Sequence, residues 1–285
     1  MPPAGMQRRV EAIGGRPLPY GILGGCTTVL DVTDPHELLG VEWMALGCCP
    51  VLDTDWCPPE ESPGEESPGA ESPGAPPGGK HFCRPLPEAA QPVTVYTGVE
   101  CSTPGWSYEE AVAHVRAALE LGEQQAVESA FWRYHLAPRA ADLTPAAGAV
   151  SLAEGVAALE GCLAELYGGI GTLHVPAGAA ALLGCCNLAH RDGASLRTLA
   201  GNCVIVGSGY SAVNSGPDGT PAPAGEVWLY ASGPVVVRRG PIDVIPDRPG
   251  ASIDRRYNDR RVLAERTYVP ATTCTVCAIR VSVRP

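Results

Sequence analysis

Residues 227–245 read VWLYASGPVVVRRGPIDVI. Three short runs stand in this stretch: Val227–Ala231, Val235–Arg239 and Ile242–Ile245, the last two separated by Gly240-Pro241. Each is too short for a helix and rich in the β-branched and aromatic side chains that suit a pleated surface. They predict consecutive strands in a β-rich second half. Working outward, Arg261–Val269 and Thr275–Val283 predict a terminal pair of strands, and Cys203–Val206 (CVIV) another strand. Gly207–Gly225 predicts a Gly/Ser/Pro loop. Within it, Gly207-Ser208-Gly209-Tyr210-Ser211 follows a strand as a phosphate loop would. It lacks the Gly-x-Gly-x-x-Gly spacing, and Pro217, Pro221 and Pro223 leave no helix to supply amide donors.

Two helices announce themselves by their starts. Ser107-Tyr108-Glu109-Glu110 is a capping box, in which the serine hydroxyl serves the third amide and the glutamate reaches back. Behind it Val112, Val115, Leu119, Ala126 or Val127, and Phe131 form one side; Glu109, Arg116, Glu120, Glu123 and Glu128 form the expected polar face. At about 25 residues this helix spans roughly 37 Å. His114 within it reads as a surface or boundary residue. Ser151-Leu152-Ala153-Glu154 opens a second helix, ended by Gly168-Gly169. Thr172–Val175 is a short strand, and Pro176 starts a further helix ending near Gly184.

The N-terminal third differs in character. Residues 1–40 carry Gly14-Gly15, Pro17 and Pro19 and predict an extended arm. Residues 41–57 and Pro92–Cys101 are β-like. Between them lie three near-copies of E-S-P-G, at Glu61, Glu66 and Glu71, which cannot bury a core. The two β-like stretches predict a long hairpin with a polar, insert-bearing tip.

The 34 Gly and 29 Pro among 285 residues argue against bundles and coiled coils. No run approaches a membrane span, and Met1–Arg9 does not read as a secretory signal. The net charge of −11 argues against a freely exposed nucleic-acid-binding surface. The charge is uneven: seven acids and no base lie from Asp53 to Glu71, whereas residues 233–285 hold ten Arg against five acids. Such asymmetry suits complementary surfaces on neighbouring molecules or within one. Twelve Cys include a single C-x-x-C, Cys274–Cys277, in a β-like run where an offset of three points the thiols to opposite faces. That argues against a zinc knuckle and for buried thiols as the default. A disulfide after exposure to oxidant is open, with Cys57 and Cys83, flanking the insertion, the candidate pair. No P-loop, G-x-S-x-G or H-E-x-x-H is present, the six His stand at no metal-ligand spacing, and Asp53 with Asp55 reads as an exposed acidic hairpin.

The order of elements resembles the major capsid proteins of tailed double-stranded DNA bacteriophages, the Hong Kong 97 fold. Leu196–Val206 (LRTLAGNCVIV) resembles their strand entry, Val227–Ile245 the strands crossing near the subunit centre, and Tyr257–Val281 the closing segment. The resemblance implies an α+β chain with an N-terminal arm at 1–40 and an extended E-loop at 41–101, its low-complexity tip at 58–80. It implies a peripheral domain at 102–144 and 246–285, with the long spine helix, and an axial domain at 145–245. It further implies a structural subunit, made in the host cytoplasm and located in the virion, that assembles as hexamers and pentamers. The partners would be packaged double-stranded DNA touched non-specifically, a portal, a scaffold and decoration proteins, with no cofactor, metal or membrane. Some family members join subunits by a Lys–Asn isopeptide bond with a nearby Glu as proton acceptor; Lys80, the only lysine, with Asn258 and Glu265 would supply it. Lys80 as a solvated loop residue and Asn258 as a turn residue is the plainer reading. An encapsulin-type nanocompartment shares the expected fold, and a Cys-rich intracellular enzyme or metal-binding protein is the alternative from another class.

Overall fold

The computed structural model describes residues 13–46, 51, 82–273 and 276–284. Cys57, Lys80 and the E-S-P-G repeats lie outside them. The arm is not extended throughout: strand β1 (Thr28–Asp31) runs parallel to β11 (Val235–Arg239), with Thr28 opposite Val236. An ion pair between Asp31 and Arg239, at 2.7 Å, sits at the end of that pairing. The guanidinium holds the Asp31 carboxyl below the usual carboxylate range.

The expected long hairpin is corrected. Strand β2 (Val41–Met44) pairs with β3 (Pro87–Ala90) in a two-stranded ribbon. The PVTVYTGVEC stretch, β4 (Val93–Ser102), instead pairs along its whole length with β14 (Asp259–Thr272). Alternation decides this. Val95 of β4 and Val262 and Ala264 of β14 point to one buried face, which the long helix α1 (Tyr108–Phe131) covers with Val115, Leu119 and Val127. A partner strand of four residues could not bury as much. Strands β12 (Asp243–Ile245) and β13 (Ile253–Asp254) complete this six-stranded sheet on β14.

A second sheet of seven strands lies beside the first. Its order is β5 (Ala141–Asp142), β15 (Val276–Ser282), β10 (Glu226–Ser232), β6 (Thr172–Pro176), β9 (Cys203–Gly207), β8 (Ser195–Arg197) and β7 (His190–Asp192). Helix α2 (Leu152–Leu166) packs on it through Val156, Leu159 and Leu163; Gly155 permits the approach, because a Cβ there would collide with Val281. A short α3 (Ala180–Cys185) follows β6. Both capping boxes form as read, Glu110 and Glu154 accepting from the amides of Ser107 and Ser151. The expected terminal strand pair does not form: β14 belongs to the first sheet and β15 to the second, where it pairs with β10 from Glu226–Ser282 to Ser232–Val276. Consecutive strands β10 and β11 divide between the sheets in the same way.

Three further expectations are revised. The loop after β9 opens with a helical turn, α4 (Ser208–Ala212), whose amide donors find a carboxylate on α1 and not solvent. Glu123 and Glu128, assigned to the polar face of α1, are buried, as is Gln124. Cys26 is joined to Cys203 and Cys162 to Cys277, so these four are disulfides and not free thiols. The partners stand 177 and 115 residues apart, a separation at which sequence spacing carries no pairing signal.

Candidate assembly surface

The ribbon β2–β3 is built to be covered. Its root is anchored: Ala90 packs against Val269 and Ala271, with Val41 and Trp43 partly buried beside them. Arg139, just past the end of α1, donates to Glu88 at 2.6 Å and fixes the returning strand. Beyond the root several apolar side chains of the described residues are exposed. Leu46 is 86% and Phe82 94% exposed, and Met44 and Leu86 are also mostly in solvent. Among the described residues the ribbon is packed at its root only, and exposed apolar groups of this kind suit a surface supplied by another molecule.

A second uncovered region is the face of the six-stranded sheet opposite α1. Tyr96 and Ile245 are exposed there, and Gly98, Ile245, Pro246 and Leu263 line part of a groove of about 600 Å³. At its edge Arg261 bridges Glu100 (2.8 Å) and Asp254 (3.4 Å). The neighbouring turn carries exposed Arg255, Arg256 and Tyr257, the Arg256 guanidinium lying 5.2 Å from the Tyr257 ring centre.

Asn258 closes that turn in the left-handed region (φ 56°), which asparagine tolerates. It is exposed, and its side-chain oxygen accepts from the Thr103 hydroxyl at 3.2 Å. Glu265 lies half-buried on β14, opposite Tyr96 and Asp243. Seven residues of extended chain place Asn258 and Glu265 about 20 Å apart. One chain therefore does not bring them together; a base serving Asn258 would come from elsewhere. Lys80 and Cys57 lie outside the described residues. Cys83 is disulfide-bonded.

The interior contains a polar constellation that resembles a catalytic one and is sealed. The His174 ring nitrogens lie 3.0 Å from the Tyr210 hydroxyl and 2.9 Å from the Ser232 hydroxyl. All three side chains are buried, and burial pushes the His174 pKa down to about 3, so the ring is neutral. Ser232 also donates to the Gly233 carbonyl, and its side chain is fully buried. His135, stacked on Phe131, is likewise held neutral by burial, at about 4. Among the described residues no three His, Cys, Asp or Glu side chains gather as a metal site, and no helix is long and apolar enough to cross a membrane.

No family model and no curated protein matches the sequence. Solved structures do match the fold. The capsid of Ralstonia phage GP4 aligns over 99% of this chain and 96% of its own, at 9% identity and a TM-score of 0.52. The capsid of a native GTA particle aligns over 98% and 95%, at 10% identity and 0.52. The chain has the Hong Kong 97 capsid fold. A chain of an encapsulin complex from Synechococcus elongatus aligns over 70% of this one at 15% identity, with a TM-score of 0.48, below the level that distinguishes folds.

The residues that sequence reading missed are Glu88 and Arg139 at the ribbon root, and Glu123, Gln124 and Glu128 on α1. A signal existed for Glu123. It falls on the row Ala111, Val115, Leu119, Glu123, Val127, Phe131, stepping by four through the apolar stripe.

Proposed function

We propose that this chain is the structural subunit of an icosahedral tailed-phage head, assembling as hexamers and pentamers around double-stranded DNA. The observation that carries the reading is the uncovered apolar ribbon projecting from a Hong Kong 97 fold, a feature with no use in an isolated subunit. In this reading the six-stranded sheet with α1 is the peripheral domain and the seven-stranded sheet the axial domain. Portal, scaffold and decoration proteins are its expected partners and the virion its location. The role is structural. A Lys80–Asn258 isopeptide bond, its proton acceptor supplied by Glu265 of another subunit, and a Cys57–Cys83 disulfide are the two covalent additions it admits.

Expression of the full chain followed by negative-stain microscopy tests the reading. Closed particles tens of nanometres across are expected. The double variant Met44→Lys, Leu86→Lys should abolish them while leaving the melting temperature of the subunit unchanged. A wild-type chain that stays a small oligomer under all assembly conditions overturns the proposal. For the covalent additions, boiling particles in denaturant with reductant and finding only monomer would exclude the isopeptide bond. Peptide mapping without reductant decides the disulfide.

A further inference from the structure

Glu128 is the one carboxylate of α1 that is wholly buried, and among the described residues no cation pairs with it. Its oxygens are held by groups from two other segments. Oε1 accepts from the Ile22 amide of the arm at 3.2 Å. Oε2 accepts from the Gly209 amide of α4 at 2.9 Å and from the Ser208 hydroxyl at 3.4 Å. One turn earlier on α1, the Gln124 side chain donates to the Leu18 carbonyl at 3.0 Å. The Val206 amide donates to the Tyr20 carbonyl at 2.8 Å. The backbone is shaped for this approach: a Cβ on Gly21 would stand 2.5 Å from Glu128 Oε1, and one on Gly209 would stand 2.6 Å from the Glu128 Cβ. Residues 18–26 thus reach the body of the subunit through the buried Ile22 side chain, the Cys26–Cys203 bond and a set of hydrogen bonds, of which those to the Glu128 carboxyl alone can change charge.

We propose that Glu128 is a proton-operated latch that fastens residues 18–26 of the arm to α1 and α4, held tightest when the carboxyl carries its proton. A buried carboxylate with three donors and no counter-charge is penalised for leaving water, and the penalty vanishes on protonation. The Ser208 hydroxyl, which can turn from donor to acceptor, accommodates either state. Burial raises the Glu128 pKa to about 7, against 4.5 when exposed. The folded value lies above the unfolded one. The latch is therefore strongest below about pH 4.5 and weakens as pH rises through about 7. The other titratable or charged groups around it do not compete in that window. Tyr210 of α4 is driven to higher pKa by burial and by Glu128 itself, and His174 of β6 is already neutral. On the arm side stand Tyr20 and the Arg191 guanidinium, 5.8 Å from its ring centre, a fixed charge throughout.

Hydrogen exchange of the full-length chain, read on peptides containing Ile22 and Gly209, tests the latch. After correction for intrinsic exchange, protection should fall about thirtyfold between about pH 5.5 and 8.5. In Glu128→Gln, a neutral side chain of the same shape, protection should not change over that range. Wild-type protection that is flat with pH, or a fall of equal size in Glu128→Gln, overturns the proposal. If Glu128→Gln does not fold, Ser208→Ala decides. Losing a donor to the ionised form moves the midpoint of the fall to higher pH, and an unmoved midpoint overturns the proposal.

Discussion

Glu123 illustrates how a single residue can contradict the face of the helix it was assigned to. Both of its oxygens accept from Arg266 of β14 at 3.1 Å, with 8% and 15% of the two side chains exposed. Removing one partner of such a pair strands the other charge, so Glu123→Ala should cost about 3 kcal/mol in urea unfolding. Glu123→Ala combined with Arg266→Met should recover part of that loss. Gly209→Ala is expected to lower stability by at least 1–3 kcal/mol, roughly the cost of overpacking, because the new methyl meets the Ser129 amide nitrogen at 2.7 Å. The pH dependence of unfolding has two opposed parts. His174 is neutral when folded, with a lowered pKa of about 3, but protonates near 6.5 when unfolded. Its contribution is present above about pH 6.5 and is lost as pH falls toward 3, by several kcal/mol, on the order of 4. Replacing His174 with Asn should flatten the acid limb of a stability–pH curve, even though the variant is less stable at neutral pH. Apart from the place of Glu123 in the apolar row of α1, none of this was legible in the sequence, since a His or Glu in a helical or strand pattern does not say what faces it across the core.

At the scale of elements, whatever was decided locally was readable. The two serine caps are each set by four consecutive residues, and both form. Ser107→Ala and Ser151→Ala should each cost about 1 kcal/mol, and the double variant about 2, because the caps lie on separate helices with no shared partner. Thermal melts of the three variants check both the size and the additivity. The strands at 172–176, 203–207 and 226–232 were also legible, being continuous apolar runs buried on both faces. Pairing was not. Nothing in PVTVYTGVEC distinguishes a hairpin return from a partner for β14 some 160 residues later; that choice belongs to the helix lying over both strands. The turn α4 was missed for a related reason, since its first amides are satisfied by Glu128, a residue on another element. Of the candidate site, the resemblance implied an E-loop at 41–101 and a closing segment at 257–281, without the pairing of either. The pairing of β2 with β3 and the Arg139–Glu88 anchor came only from the structure.

For the molecule as a whole, the Cys26–Cys203 bond ties the arm to β9 across 177 residues. Cys26→Ser should lower stability by roughly 2–5 kcal/mol under oxidising conditions, and should have no such effect in the presence of reductant. Calorimetry with and without a thiol reagent distinguishes the two. The Cys162–Cys277 bond makes a second such connection, to β15, and the sheets make others by strand pairing. The first sheet is closed by β1 on β11 and by β4 on β14, the second by β5 on β15. Each pairing waits for a segment more than a hundred residues distant, so the entropy of drawing the chain together is met before the contacts reward it. The consequence is one of timing: a newly made chain passes through a slow interval in which both sheets have open edges and the apolar ribbon is already exposed. A population held in that interval is at risk of strand-to-strand aggregation. Slower synthesis at lower temperature should therefore raise the yield of assembly-competent subunits without altering the stability of the finished fold.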